Sequence, residues 1–118
     1  MHELSVCHGL LRQLTPLAAE HSGRLSRVVV RVGPLAGVEP ALLASAFVVA
    51  RQGTVADSAV LVIDHSPLRV RCRECGRESE ATLNDLCCRH CGGHKTQLIS
   101  GDELLLISVQ FSKESEHV

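Results

Sequence analysis

Two closely spaced pairs of cysteines constrain the fold of this chain more than any other feature. Cys72 and Cys75 form one C-x-x-C pair, and Cys88 and Cys91 form a second, with twelve residues between the pairs. Two intervening residues allow one tight turn to direct both sulfurs at the same ion, and four thiolates suit the tetrahedral preference of Zn²⁺. The spacing therefore predicts a zinc-ribbon-like lobe. Four thiolates leave no open position for water or substrate, so we interpret the site as structural.

Sequence features that indicate cellular location favour metal binding over disulfide formation as the role of the cysteines. The start of the chain has neither a basic segment nor the apolar segment of a secretory signal, and no apolar run approaches the ~20 residues that span a bilayer. We therefore expect a cytoplasmic protein with no membrane association, in a compartment where thiols stay reduced. A redox C-x-x-C is the alternative, but such a motif usually stands alone at a βαβ unit.

Residues near the two pairs offer alternative ligands. Cys87 directly precedes Cys88, and register with Cys91 favours Cys88 as the third ligand, which leaves Cys87 spare. His90 and His94 are replacement ligands by residue type, although exposed loop histidines are the commoner interpretation. Gly76 and Gly92 each follow a pair, as expected of turns that need unusual backbone angles.

The remainder of the chain alternates between helical and strand patterns. Apolar residues at spacings of three and four predict an N-terminal helix, in which Cys7 is a core residue and Pro16 kinks or divides the helix. Alternation over 27–32 predicts a half-buried strand. A second helix is expected from Pro40, with a core face formed by Leu42, Leu43, Ala46, Phe47 and Ala50. Strands are predicted at 60–64, 68–71 and 103–111.

These elements predict an α+β fold, with two helices packed on a three-stranded sheet and an inserted zinc-ribbon-like lobe. We place the main α/β domain at residues 1–71 and 98–118, and the inserted zinc-binding domain at 72–97.

Composition argues against a nucleic-acid binder. The 12 Lys and Arg face 13 Asp and Glu, and the only aromatic residues are two Phe. Such a chain has neither the basic excess that binds phosphates nor the rings that stack on bases. A zinc-ribbon module for nucleic acid or protein interaction remains the alternative function. We expect no enzyme, because no Ser/His/Asp arrangement is evident and the zinc site is saturated.

The N-terminus offers a second kind of metal site. The α-amine of Met1, the amide nitrogen and imidazole of His2, and a group from Glu3 can chelate one ion in a plane. Planar nitrogen and oxygen donors suit Ni²⁺ or Cu²⁺. Taken alone, a histidine beside the terminus is more often a solvated residue.

The chain as a whole resembles the HypA/HybF-type hydrogenase nickel-incorporation proteins. The resemblance covers residues 1–111 and rests on the two C-x-x-C pairs together with Met1-His2-Glu3-Leu4-Ser5, Arg31-Val32-Gly33, Gly37-Val38-Glu39-Pro40, Gly53-Thr54 and Gly101-Asp102-Glu103-Leu104. The chain departs from the family pattern at Arg89, where a proline is usual, and in the additional Cys87.

The resemblance implies a nickel metallochaperone for [NiFe]-hydrogenase. Nickel would bind at Met1, His2 and Glu3, and zinc at the four cysteines. The implied partners are the nickel-handling GTPase of the same maturation pathway and the hydrogenase large-subunit precursor, with urease maturation proteins as partners of some relatives. We expect a monomer or a homodimer.

Overall fold

The computed structural model describes residues 2–112, in which two helices and six strands form. They are α1 (Glu3–Ala19), β1 (Arg24–Val32), α2 (Pro40–Ala50), β2 (Val60–His65), β3 (Arg69–Cys72), β4 (Glu78–Glu80), β5 (Thr96–Ser100) and β6 (Leu104–Ser112). Met1 and residues 113–118, which the sequence analysis assigned to the nickel site and the main domain, lie outside the described residues. No helix in the described part is long and apolar enough to cross a membrane.

Helix α1 has one buried stripe, as its apolar spacing predicts. Its buried residues are Cys7, Leu10, Leu11 and Leu14, which confirms Cys7 as a core residue. Of the two expected effects of Pro16, division of the helix is wrong, because α1 continues to Ala19, and a kink stays a prediction. Pro16 lies only three residues before the end of the helix, so its missing N–H removes a single bond from the last turn.

Helix α2 begins at Pro40, whose fixed φ suits the first helical position. A Glu39 carboxylate oxygen accepts a hydrogen bond from the Ala41 amide at 3.0 Å and thereby caps the helix. Only Leu43 and Phe47, one turn apart, are buried. The prediction that Leu42 is a core residue is wrong: 56 % of it is exposed. It lies about 100° around the helix from Leu43, away from the buried side.

The two helices pack against each other and run in the same direction. The Glu39 amide donates to a Glu3 carboxylate oxygen at 3.1 Å, and one turn further along both helices the Cys7 thiol donates to the Leu43 carbonyl at 3.7 Å. Since both pairs are separated by 36 positions, the N-termini of α1 and α2 lie side by side.

The sheet of the α/β part has three strands in the order β2-β1-β6. Val28, Val30 and Val32 of β1 are all buried, as the alternating pattern predicts. The structure thus confirms the α+β class, with two helices on a three-stranded sheet.

A second three-stranded sheet, in the order β4-β3-β5, was not predicted. Strand β3 lies at its centre and pairs antiparallel with both neighbours. Alternation predicted β3 but neither of its partners. Strand β4 (ESE) contains no apolar residue, and the two apolar residues of β5 (TQLIS) are adjacent, so neither segment shows the alternation that marks a strand.

The chain separates into two compact units. Of the described residues, one unit comprises 2–30, 38–64 and 105–112, and the other comprises 31–37 and 65–104. The second unit is wider than the inserted domain placed at 72–97, because β3 and most of β5 hydrogen-bond within the second sheet. A zinc-binding function confined to residues 72–97 stays a prediction.

Within the second unit, two backbone segments meet at a pair of glycines. The Gly33 amide donates to the Glu103 carbonyl at 2.9 Å, and the Leu35 amide donates to the Gly101 carbonyl at 2.7 Å. A Cβ added to Gly33 would lie 2.1 Å from the Gly101 carbonyl oxygen. Glycine is therefore required at Gly33 by the close approach of another backbone.

Candidate metal centre

The first cysteine pair is built as a turn whose amides point at sulfur. Cys72 ends β3, and its Sγ accepts hydrogen bonds from the amides of Glu74 at 3.3 Å and Cys75 at 3.4 Å. The turn closes with a bond from the Gly76 amide to the Cys72 carbonyl at 3.0 Å. Gly76 has φ +76°, a left-handed conformation that favours glycine.

The second pair repeats this geometry. The amide of His90 donates to Cys88 Sγ at 3.3 Å, and the Gly92 amide donates to the Cys88 carbonyl at 2.9 Å. Gly92 has φ +76°, the same value as Gly76. The unusual angles predicted for both glycines are therefore confirmed. Each turn uses backbone amides to stabilise negative charge on sulfur, which prepares the thiols to bind a cation.

The two turns bring their four sulfurs together. The sulfurs of Cys72, Cys75, Cys88 and Cys91 all lie within 4.8 Å of one another. The Cys72–Cys91 sulfur separation is 3.5 Å and the Cys75–Cys88 separation is 3.6 Å. A set of four thiols this close matches the donor set of a tetrahedral Zn²⁺ site, with no position left for a fifth group.

The electrostatics of the cluster also fit a cation. A hydrogen bond from the Cys91 amide lowers the pKa of the Cys88 thiol to about 6, and amides of Cys75 and Glu74 lower the pKa of Cys72. The Gly93 amide favours the thiolate form of Cys91. The Cys72 thiol, burial and the other thiols oppose ionisation more strongly and raise the pKa of Cys91 to about 12. A divalent cation among the four sulfurs would stabilise all four thiolates, so that ionisation of one thiol would no longer disfavour ionisation of the others.

The alternative ligands lie outside the cluster. Cys87 is half-buried, its amide donates to an Asp85 carboxylate oxygen at 3.0 Å, and the Asp85 carboxylate raises the pKa of its thiol. His90 has its Nε2 at 3.2 Å from the Glu78 carbonyl, and His94 is exposed. Within residues 2–112, the cluster consists of the four cysteines of the two predicted pairs.

Residues 72–97 contain almost no core other than the cysteine cluster. Cys72, Ser79 and Cys88 are the buried residues of this segment, and two of these three belong to the cluster. The larger apolar side chains Leu83 and Leu86 are 59 % and 43 % exposed. Apolar burial therefore contributes little to holding this segment together.

Two of the three predicted nickel residues, His2 and Glu3, are described, and both lie at the start of α1. His2 is exposed and precedes the helix in an extended conformation. The Glu39 amide, which donates to the Glu3 carboxylate, lowers the pKa of Glu3. The second helix was expected from Pro40, directly after Glu39, but the contact between Glu39 and Glu3 was not predicted. No local signal reveals this contact, because the two residues are 36 positions apart.

Comparison with known proteins identifies a family that the chain matches. Residues 1–111 match the family model described as "Hydrogenase/urease nickel incorporation, metallochaperone, hypA". The chain belongs to the HypA family.

Relatives in this family share nearly the full length of the chain. The hydrogenase maturation factor HypA of Nitrosospira multiformis is 41% identical over 111 residues, which are 93% of this chain and 96% of that protein. HypA of Aquifex aeolicus is 40% identical over 111 residues, which again are 93% of this chain and 96% of that protein. The solution structure of the Ni metallochaperone HypA from Helicobacter pylori has a TM-score of 0.68 at 26% identity, and the comparison covers 97% of this chain and all of that one. The expected family of nickel metallochaperones for hydrogenase maturation is thereby confirmed.

Proposed function

We propose that this chain carries Ni²⁺ at its N-terminus and helps insert it into [NiFe]-hydrogenase during maturation. The ligands are the α-amine of Met1, the amide nitrogen and imidazole of His2, and a group from Glu3. The observation that carries the proposal is the exposure of His2 immediately before α1, in a chain of a nickel-incorporation family.

The start of α1 suits this chemistry. The first N–H groups of a helix have no partner within the helix, so their nitrogens are not needed to maintain it. Deprotonation of such an amide to bind metal makes the affinity depend on pH. The bond from the Glu39 amide favours the ionised form of the Glu3 carboxylate, which is the form that binds a cation.

An exposed terminal site also suits a carrier that must release its cargo. A closed cage of side chains would hold nickel too firmly for transfer, whereas a terminus with few ligands is open to a competing partner site. Affinity alone cannot select nickel, because Cu²⁺ binds such donors more tightly than Ni²⁺. Selection therefore depends on metal availability and on contact with the partner.

For the four cysteines we propose a structural Zn²⁺. The ion would supply cross-links between the two turns, in a segment whose buried residues are mostly the ligands themselves. The proposed zinc-binding domain is 72–97, and the proposed nickel-binding domain is formed by 1–71 and 98–118. With a saturated zinc site the protein acts as a carrier and not as an enzyme.

The proposed partners follow from the family. They are the nickel-handling GTPase of hydrogenase maturation and the hydrogenase large-subunit precursor, in the cytoplasm. Urease maturation proteins are included because the family description names urease. The alternative, a zinc-ribbon nucleic-acid module, predicts salt-sensitive binding to DNA. The balanced charge of the chain argues against it.

The nickel site is tested by replacing His2 in protein without a tag. We expect His2→Ala to abolish nickel binding in a calorimetric titration, because the variant lacks the imidazole ligand. His8→Ala is the matched control, since His8 is an exposed histidine of α1, the helix that His2 precedes, and is not a proposed ligand. Both variants should keep their zinc content and their circular dichroism.

An extension of the N-terminus is an independent test. Extra residues before Met1 convert the terminal amine into an amide, so the tagged wild-type protein should also lose nickel binding while it keeps zinc. Full-strength nickel binding by the tagged protein, or by His2→Ala, would refute the terminal site. Loss of nickel binding in His8→Ala would show that the proposed ligand set is wrong.

A further inference from the structure

The outward face of α2 is entirely uncharged. This face consists of Ala41, Leu42, Ser45, Val48 and Val49, all of which are exposed. Leu42, Val48 and Val49 are exposed by 56 %, 50 % and 65 %. The whole helix, PALLASAFVVA, contains no charged residue. A helix that is apolar on every side is normally covered on every side, so this face has the composition of an interface.

Helix α1 of the same unit provides an internal comparison. Its exposed positions include His8, Arg12 and Gln13, which is the usual composition of a helix that faces water. The two helices pack against each other and have their buried sides in the same core, yet only α2 exposes branched apolar side chains in its middle and last turns. The difference lies in the outward faces and points to a partner at α2.

The size and composition of the face limit what can cover it. At 11 residues, α2 is too short to span a bilayer. Helices that lie on membrane surfaces usually carry Lys and Arg beside their apolar face, and α2 has neither. A stable dimer interface involves about 20–30 residues from each partner, whereas this face offers five. The face therefore suits a small, transient contact with another protein.

The position of the face connects it with the proposed nickel site. Glu39 caps α2 and also donates its amide to Glu3. Leu42 follows Glu39 by three residues, which is about one helical turn. A protein that covers the first turn of this face would therefore lie beside the start of α1, where His2 lies. Because apolar contacts need no charged partner, this contact would be insensitive to salt.

We propose that the outward face of α2 is the docking surface for the nickel-handling GTPase, and that the GTPase presents an uncharged apolar surface of its own to it. The proposal rests on the proposed function, because it identifies where the partner of the N-terminal site binds. Docking through α2 brings the partner to the nickel ligands without using them as contacts.

The test uses a double variant, Val48→Glu with Val49→Glu, in untagged protein. Both side chains are at least half exposed, and Glu has a higher helix propensity than Val. Because two carboxylates in the last turn oppose the helix dipole, circular dichroism of the variant checks that the fold persists. Gln13→Glu is the matched control, because it adds a carboxylate to the exposed side of α1. The probe is the purified nickel-handling GTPase, with affinity measured by calorimetry at two salt concentrations.

We expect the double variant to bind the GTPase at least about tenfold more weakly, as for the loss of an apolar interface anchor. Gln13→Glu should bind within about twofold of wild type, as is usual for changes outside an interface. Nickel and zinc stoichiometry should be unchanged in both variants. Unchanged GTPase affinity in the double variant, or no binding by the wild type, would overturn the proposal.

The experiment also distinguishes other occupants of the outward face from a failure of the proposed nickel function. A wild-type dimer that the double variant dissociates, with GTPase affinity unchanged, would assign the face to a second copy of this chain. Vesicle binding that the double variant loses, again with GTPase affinity unchanged, would assign it to a membrane; both results overturn the proposal. If the wild type binds no nickel, the proposed function fails whatever the docking result.

Discussion

Replacement of Gly33 by alanine should destabilise the second unit by about 3 kcal/mol. The added Cβ would lie 2.1 Å from the Gly101 oxygen and 2.2 Å from its carbonyl carbon, so backbone and not a flexible side chain must move. Overpacking of this kind costs about 1–3 kcal/mol. The movement also strains the Gly33–Glu103 and Leu35–Gly101 hydrogen bonds, which contribute about 1 kcal/mol each.

Gly9→Ala is the control, with the opposite expected sign. Gly9 lies in α1, and a Cβ there would meet only the end of the Arg12 side chain at 3.7 Å, an ordinary contact. Alanine is favoured over glycine within a helix by about 1 kcal/mol. Both substitutions restrict the unfolded chain, and only Gly33→Ala adds a collision with another backbone segment, so the two shifts should have opposite signs.

The assay is urea denaturation of the zinc-loaded proteins at pH 7, followed by circular dichroism, with amide exchange at Leu35 as a local measurement. We expect a lower midpoint and faster Leu35 exchange for Gly33→Ala, and a higher midpoint for Gly9→Ala. Equal shifts of the two midpoints, or wild-type stability in Gly33→Ala, would refute the inference that the two backbone segments are held in rigid contact.

Three further predictions concern the cysteine cluster and Glu103. Cys75→Ala should lose zinc and unfold residues 72–97, because the segment has little other core; stoichiometric zinc by metal analysis would contradict the four-cysteine site. Cys87→Ser should retain full zinc, since Cys87 lies outside the cluster, and zinc loss would make it a ligand. The Gly101 amide, the Ser66 hydroxyl and the charge of Arg31 lower the pKa of Glu103. The Glu103 carboxylate therefore stabilises the fold above its ordinary pKa of 4.5, and this contribution is lost as the pH falls through the lower folded-state pKa. Glu103→Gln should accordingly reduce the free energy of unfolding more at pH 7 than at low pH, and a pH-independent difference in urea titrations would contradict this.

Features that depend on neighbouring residues were readable from the sequence. The C-x-x-C spacing and the glycine after each pair predicted the cysteine cluster and the φ of Gly76 and Gly92. The apolar periods predicted both helices and all three strands of the first sheet. Choosing Cys88 over Cys87 by its register with Cys91 also agrees with the cluster. In each case, the deciding residues lie within one turn, one helix or one strand.

Contacts between distant segments were decided only by the tertiary structure. Periodicity assigned Leu42 to the core, but the direction in which α2 packs against α1 turns it outward. The pairing of β3 with β4 and β5 and the approach of Glu3 to Glu39 likewise depend on register between segments far apart in sequence. The physical reason is that a hydrophobic pattern specifies which side chains prefer burial, whereas the packing of elements determines which of them find a partner.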